Sequence, residues 1–72
     1  ATGDRSTALG AVAQATGTQS LAVGTDAAAT AARATAIGQG SNASFVGSTA
    51  LGQGAQTTAA NQVTLGASGT SV

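Results

Sequence analysis

Four side chains in this 72-residue chain carry charge: Asp4, Arg5, Asp26 and Arg33. The rest of its reactive inventory is Ser and Thr hydroxyls and Asn and Gln amides. His and Cys are absent, so there is no neutral-pH general base and no thiol nucleophile. Asp4 and Asp26 are too far apart in the chain, and too differently placed in its pattern, to read as a catalytic carboxylate pair; they read as solvated turn residues. Zinc needs Cys or His and calcium needs a set of acidic oxygens, so neither metal nor cofactor is expected. A formal net charge of zero and a single aromatic residue leave no basic stripe or stacking platform for nucleic acid. What remains is hydrogen bonding from hydroxyls and amides, which is the chemistry of recognition rather than catalysis.

The elements that position these groups are visible as a repeat. Ser48-Thr49-Ala50-Leu51-Gly52 recurs as Ser6-Thr7-Ala8-Leu9-Gly10, Ser20-Leu21-Ala22-Val23-Gly24 and Ala34-Thr35-Ala36-Ile37-Gly38, with a looser copy at Gln62-Val63-Thr64-Leu65-Gly66. The closing glycines stand at 10, 24, 38, 52 and 66, a period of fourteen without insertion. Such regularity marks a repeat array, and a flexible linker has no reason to hold it. Full repeats run 11–24, 25–38, 39–52 and 53–66; 1–10 is the tail of another and 67–72 the start of one more. We read the chain as a single unit, a fragment of a longer array.

Fourteen residues are also two heptads, and the Ala-rich stretch 27–36 favours helix by propensity. A helix would, however, carry a Gly at the same place in every repeat, at about 0.5–1 kcal/mol each. The apolar residues of the marker motif are two apart, the spacing of a strand. Each repeat is therefore predicted to be one coil of an all-β solenoid, with two strands of about five residues joined by tight turns. Coils would stack at about 4.8 Å by parallel pairing.

Alternation assigns the faces. Ser20, Ala22 and Gly24, like Ser48, Ala50 and Gly52, are small and are expected inside, where closely folded strands leave no room for Leu. Leu9, Val23, Ile37, Leu51 and Leu65 form one outward file, and Thr7, Leu21, Thr35, Thr49 and Val63 a second. Ala supplies most of the 42% hydrophobic fraction and only eleven side chains are large, a poor supply for a monomer core. An outer aliphatic stripe should not stay wet, and identical chains around a symmetry axis are its simplest cover. The expected intersubunit residues are Leu9, Leu21, Val23, Ile37, Leu51, Val63 and Leu65. The other segment of each repeat turns Gln14, Thr16, Thr30, Asn42, Ser44, Gln56 and Thr58 outward, and these are the candidate ligand surface.

Ser-x-Ala-(Leu/Val/Ile)-Gly every fourteen residues, alternating with (Ala/Ser)-x-Ala-(Thr/Ser)-(Gly/Ala), resembles the YadA-like head of trimeric autotransporter adhesins. The resemblance covers nearly the whole chain. It implies a left-handed parallel β-roll (a β-solenoid with 14-residue coils) assembled as a parallel homotrimer on the surface of a Gram-negative bacterium. In that family the aliphatic marker residues line the trimer interface. The heads attach to host cells or to extracellular-matrix proteins such as collagen and fibronectin, and an outer-membrane domain not present in this chain anchors them. Asn61-Gln62-Val63-Thr64-Leu65-Gly66 looks like the Asn-x-Val-x-(Ile/Leu)-Gly form that can precede a neck; no neck sequence follows here.

Two residues depart from the pattern. Phe45 takes the place of Gly17 and Ala31, so either it points out at a turn or the roll opens there. Gly47 takes the place of Arg5, Gln19, Arg33 and Asn61, which suggests a local bulge beside the ring or an exposed apolar patch used in binding. Arg5 and Arg33 share one repeat position two coils apart and are expected on one line of the surface as solubilising residues.

The leading reading is a host-binding adhesin segment. A structural spacer in the adhesin fibre is the alternative. An ice-binding solenoid is a weaker one: Thr2, Thr16, Thr30, Ser44 and Thr58 form a single hydroxyl file without the paired rank such surfaces use. No apolar run approaches the roughly 18 residues of a membrane helix, nothing at the N-terminus reads as a signal peptide, and this segment is not expected to touch a membrane.

Overall fold

Strand after strand of the chain pairs in parallel with the one fourteen residues further on, until the last coil, where one of the two ladders stops. The computed structural model describes residues 2–66; the expected start of another repeat at 67–72 lies outside them. Eight short strands run β1 (Thr7–Leu9), β2 (Gln14–Ala15), β3 (Leu21–Val23), β4 (Ala28–Ala29), β5 (Thr35–Ile37), β6 (Asn42–Ala43), β7 (Thr49–Leu51) and β8 (Val63–Leu65). They form two wholly parallel sheets, β1-β3-β5-β7-β8 and β2-β4-β6. The register places Leu9 on Val23, Val23 on Ile37, Ile37 on Leu51 and Leu51 on Leu65. This is the expected all-β parallel solenoid, about four turns of fourteen residues, with no helix among the described residues.

The strands are shorter than expected, three residues in one sheet and two in the other, because two four-residue turns occupy most of each coil. On one edge, which we call the arginine edge, the Ser6 amide donates to the Gly3 carbonyl, Ser20 to Gly17, Ala34 to Ala31 and Ser48 to Phe45. On the opposite edge Ala13 donates to Gly10, Ala27 to Gly24, Ser41 to Gly38 and Ala55 to Gly52. The third residue of every one of these turns has positive φ: Arg5 56°, Gln19 60°, Arg33 56° and Gly47 70° on the first edge, Val12 61°, Asp26 62°, Gly40 70° and Gly54 72° on the second. Positive φ at that position is the mark of a type II turn.

The turns are stacked as well as the strands. The Arg33 amide donates to the Thr18 carbonyl of the preceding coil at 2.7 Å, and the Asp26 amide to Ala11 at 3.1 Å. Serines complete the corners: the hydroxyls of Ser6, Ser41 and Ser48 donate to the carbonyls of Gly3, Gly38 and Phe45, each three residues back. Backbone polar groups at the corners are thus largely satisfied without water, as a thin solenoid requires.

The space between the sheets is filled almost entirely by methyl groups. Ala15, Ala22, Ala27, Ala29, Ala34, Ala36, Ala43, Ala50 and Ala55 are fully buried, and the largest fully buried side chains are Ser41 and Ser48. Among the described residues no Leu, Val, Ile or Phe is inside. The expected division of small residues inward and large residues outward is what the structure shows.

The last coil differs. The sheet β2-β4-β6 stops at β6, and only an isolated bridge joins Asn42 to Gln56. Thr16 bonds to the Ala29 carbonyl and Thr30 to Ala43, but Ser44 makes no equivalent bond to Thr57. Thr57 stands where Ala15, Ala29 and Ala43 stand in other coils, and its hydroxyl donates to Ser48 Oγ at 3.1 Å. Gln62 replaces the corner serine; its Oε1 accepts from the Thr58 amide at 2.6 Å, from the Thr58 hydroxyl and from the Ala59 amide.

Candidate functional site

The described residues enclose no pocket, so any binding is done by faces and edges. The outer face of the five-stranded sheet is built by alternation: in Leu21–Val23 and Thr49–Leu51 the central Ala is buried and its two neighbours project outward. Parallel pairing in register then stacks like on like. Leu9, Val23, Ile37, Leu51 and Leu65 form one file and Thr7, Leu21, Thr35, Thr49 and Val63 the other. Leu21, Val23, Ile37 and Leu51 are half-buried by their neighbours along the stripe. At its ends Leu9 is 59% and Val63 63% exposed, although a large aliphatic side chain is ordinarily buried. All seven residues expected to meet other chains therefore stand on one continuous face.

The opposite face is polar. Gln14, Thr16, Thr30, Ser44, Gln56 and Thr58 are exposed, and Asn42 is half-buried. Gln14, Ala28, Asn42 and Gln56 form one file. The hydroxyls of Thr2, Thr16, Thr30, Ser44 and Thr58 are exposed at one position in each coil. The structure brings these candidates together on one surface. Asn42 is less available than its neighbours, and its Oδ1 is buried without a hydrogen-bond partner.

The charged residues are at corners, all exposed. Arg5 and Arg33 occupy the same corner two coils apart, with Gln19 between them, as the spacing predicts. Asp4 is beside Arg5 on that edge, whereas Asp26 is on the other edge. The carboxylates are thus not paired, and no cluster of acidic, His or Cys residues suited to a metal occurs among the described residues.

Phe45 lies at the first residue of a turn and is 41% exposed, next to Val46 at 46%. Both sequence-level alternatives are partly realised: the ring is at a turn, and the ladder loses its Ser44–Thr57 bond beside it. Of the two readings of Gly47, the local bulge does not form; the exposed apolar patch is present as Phe45 and Val46. The φ of 70° at Gly47 and its amide bond to the Ala32 carbonyl repeat the geometry of Arg33 in the preceding coil. The absent Cβ instead leaves room for Asn61, whose Oδ1 would lie 2.5 Å from a Cβ at residue 47.

Sequence reasoning did not single out Val12, a β-branched residue at φ 61° and 69% exposed. Its only signal is that Gly40 and Gly54 hold the same repeat position.

The family described as the YadA head domain repeat matches residues 1–27, 29–55 and 46–61, in two copies. No curated protein matches the chain.

Proposed function

The chain belongs to the family of YadA head domain repeats, and from that premise we propose that it is a segment of a bacterial surface adhesin that attaches to host cells or extracellular matrix of the collagen or fibronectin type. The family is one of adhesin heads, not of enzymes. In this reading the coils wind left-handed and three chains associate in parallel as a homotrimer. The segment is part of a longer repeat array, held at the surface of a Gram-negative bacterium by an outer-membrane domain outside this chain.

One observation carries the assembly. Leu9, Val23, Ile37, Leu51 and Leu65 are stacked in register outside a core that is already filled by Ala. Covering such a side chain stabilises by about 1.5–3 kcal/mol, so the stripe favours association strongly. Trimerisation leaves the polar face outward, where Gln14, Thr16, Thr30, Asn42, Ser44, Gln56 and Thr58 offer the same weak contacts coil after coil. Three copies per trimer and many trimers per cell supply avidity.

Light scattering of the chain across a dilution series tests the assembly: a mass near three times 6.6 kDa is expected, and a folded monomer stable on dilution overturns it. Binding of the trimer to immobilised collagen and fibronectin tests the ligand reading. A trimer that binds neither matrix protein nor host cells supports the spacer alternative, which a repetitive polar face would serve equally.

A further inference from the structure

Besides its two faces the roll has two edges, and they differ in charge. At the third turn residue the arginine edge carries Arg5, Gln19, Arg33, Gly47 and Asn61, and the opposite edge Val12, Asp26, Gly40 and Gly54. Asp26 is therefore the one carboxylate in the corner file of its edge. All of these residues have positive φ at a corner turn, and all but Gly47 are exposed. The side-chain hydrogen bonds of the described residues involve Ser6, Ser41, Ser48, Thr57, Thr58 and Gln62, and none comes from Asp26, Gln19 or Arg33. Within one chain Asp26 and Arg33 are on opposite edges, separated by β4.

We propose that Asp26 pairs with Arg33 of the partner subunit, flanked on its other side by Gln19 of the partner subunit, and that this contact closes the edges of the trimer. The inference rests on the homotrimer reading and deepens it. If the five-stranded sheets face a three-fold axis parallel to the stack, the end of each strand meets the start of the corresponding strand next door. The edge that follows β3 in one chain then abuts the arginine edge of its neighbour. Closed symmetry allows no axial shift between chains, so residues meet at the heights they have in their own chain.

Those heights follow from the register. A coil of fourteen residues rises by about 4.8 Å. Asp26 is seven residues after Gln19 and seven before Arg33, half a coil from each, or about 2.4 Å along the axis. Arg5 is one and a half coils away, about 7 Å, and has Asp4 beside it on its own edge. The carboxylate thus faces a guanidinium just above and a neutral amide donor just below. Both suit a carboxylate acceptor. The other corner positions of that edge, Val12, Gly40 and Gly54, are uncharged, so Asp26 is the one residue in that corner file that can form an ion pair with Arg33 of the partner subunit.

A charge swap tests the pair. In Asp26→Arg the new residue enters a corner conformation that Arg33 already adopts at φ 56°, and in Arg33→Asp one that Asp26 adopts at φ 62°, so the backbone cost is matched. Each single variant places like charges at all three edges and should raise the concentration at which the trimer dissociates by roughly tenfold, as expected for three partly exposed pairs. The double variant should return to within about threefold of the original chain. Asp26→Asn, which keeps a residue tolerant of this corner, should leave a trimer whose dissociation no longer depends on NaCl between low and physiological salt. A trimer indifferent to Asp26→Arg, or a double variant as weak as the singles, overturns the pair and leaves the trimer standing. A monomeric original chain overturns the trimer and the pair with it.

Discussion

Gly24 and Gly38 stack so closely that a Cβ on Gly24 would lie 2.8 Å from the carbonyl carbon of Gly38. Both have φ of 123°, outside the conformations open to other residues. Gly10 meets Gly24, and Gly38 meets Gly52, in the same way. The marker glycines thus serve two ends, a turn that side chains cannot make and a stacking distance they would not permit.

Gly38→Ala should therefore cost at least about 3 kcal/mol, from backbone strain and overpacking together. Gly40→Ala is the control. Its φ of 70° disfavours Ala modestly, but nothing lies within 4 Å of the added Cβ, so a loss of about 1–2 kcal/mol is expected. Thermal unfolding of the two variants should rank them in that order; equal losses would contradict the stacking account.

Val12→Asn should stabilise the chain by about 1 kcal/mol, because it relieves a β-branched residue held in the left-handed region. Val12 is 69% exposed, so little burial is lost. A lower midpoint of unfolding would mean that Val12 is covered in the assembly.

Ile37→Ser removes one rung of the aliphatic stripe without touching the alanine core. In the proposed homotrimer this removes about 2 kcal/mol per chain from the interface, and light scattering should show that trimer dissociating at a concentration at least roughly tenfold higher. Thr16→Ser, on the polar face, should leave the mass unchanged.

Phe45→Ala should shift unfolding by less than about 1 kcal/mol, because the ring is at a turn and not in the core, and Ala already holds this position at Ala31. If the Phe45–Val46 patch takes part in adhesion, binding to matrix falls while the melting point holds. Unchanged adhesion and unchanged melting would remove any special role for the ring.

Much of this was legible because the period is rigid and the side-chain sizes are extreme. Five glycines fourteen residues apart set the coil length, and Ala8, Ala22, Ala36 and Ala50 alternating with Leu, Val and Ile separated inside from outside. Strand length was misjudged because hydrophobic alternation continues into the turns, where Ser and Ala face inward without sheet pairing. The left-handed corners were hidden by Arg5, Gln19 and Arg33, whose types carry no preference for positive φ; the hints were Gly47 and Asn61 at the same place in later coils.

The sequence by itself determined the repeat, the parallel stacking and the two kinds of face, since each follows from periodicity and residue size alone. Only the tertiary structure decided that Asp26 and Arg33 stand on opposite edges of the chain, how Thr57 reaches Ser48 across the interior, and that Gly47 makes way for Asn61 rather than for Phe45. Those relationships join residues of different coils or opposite sheets and edges, and they depend on how each turn is wound, which no local pattern encodes.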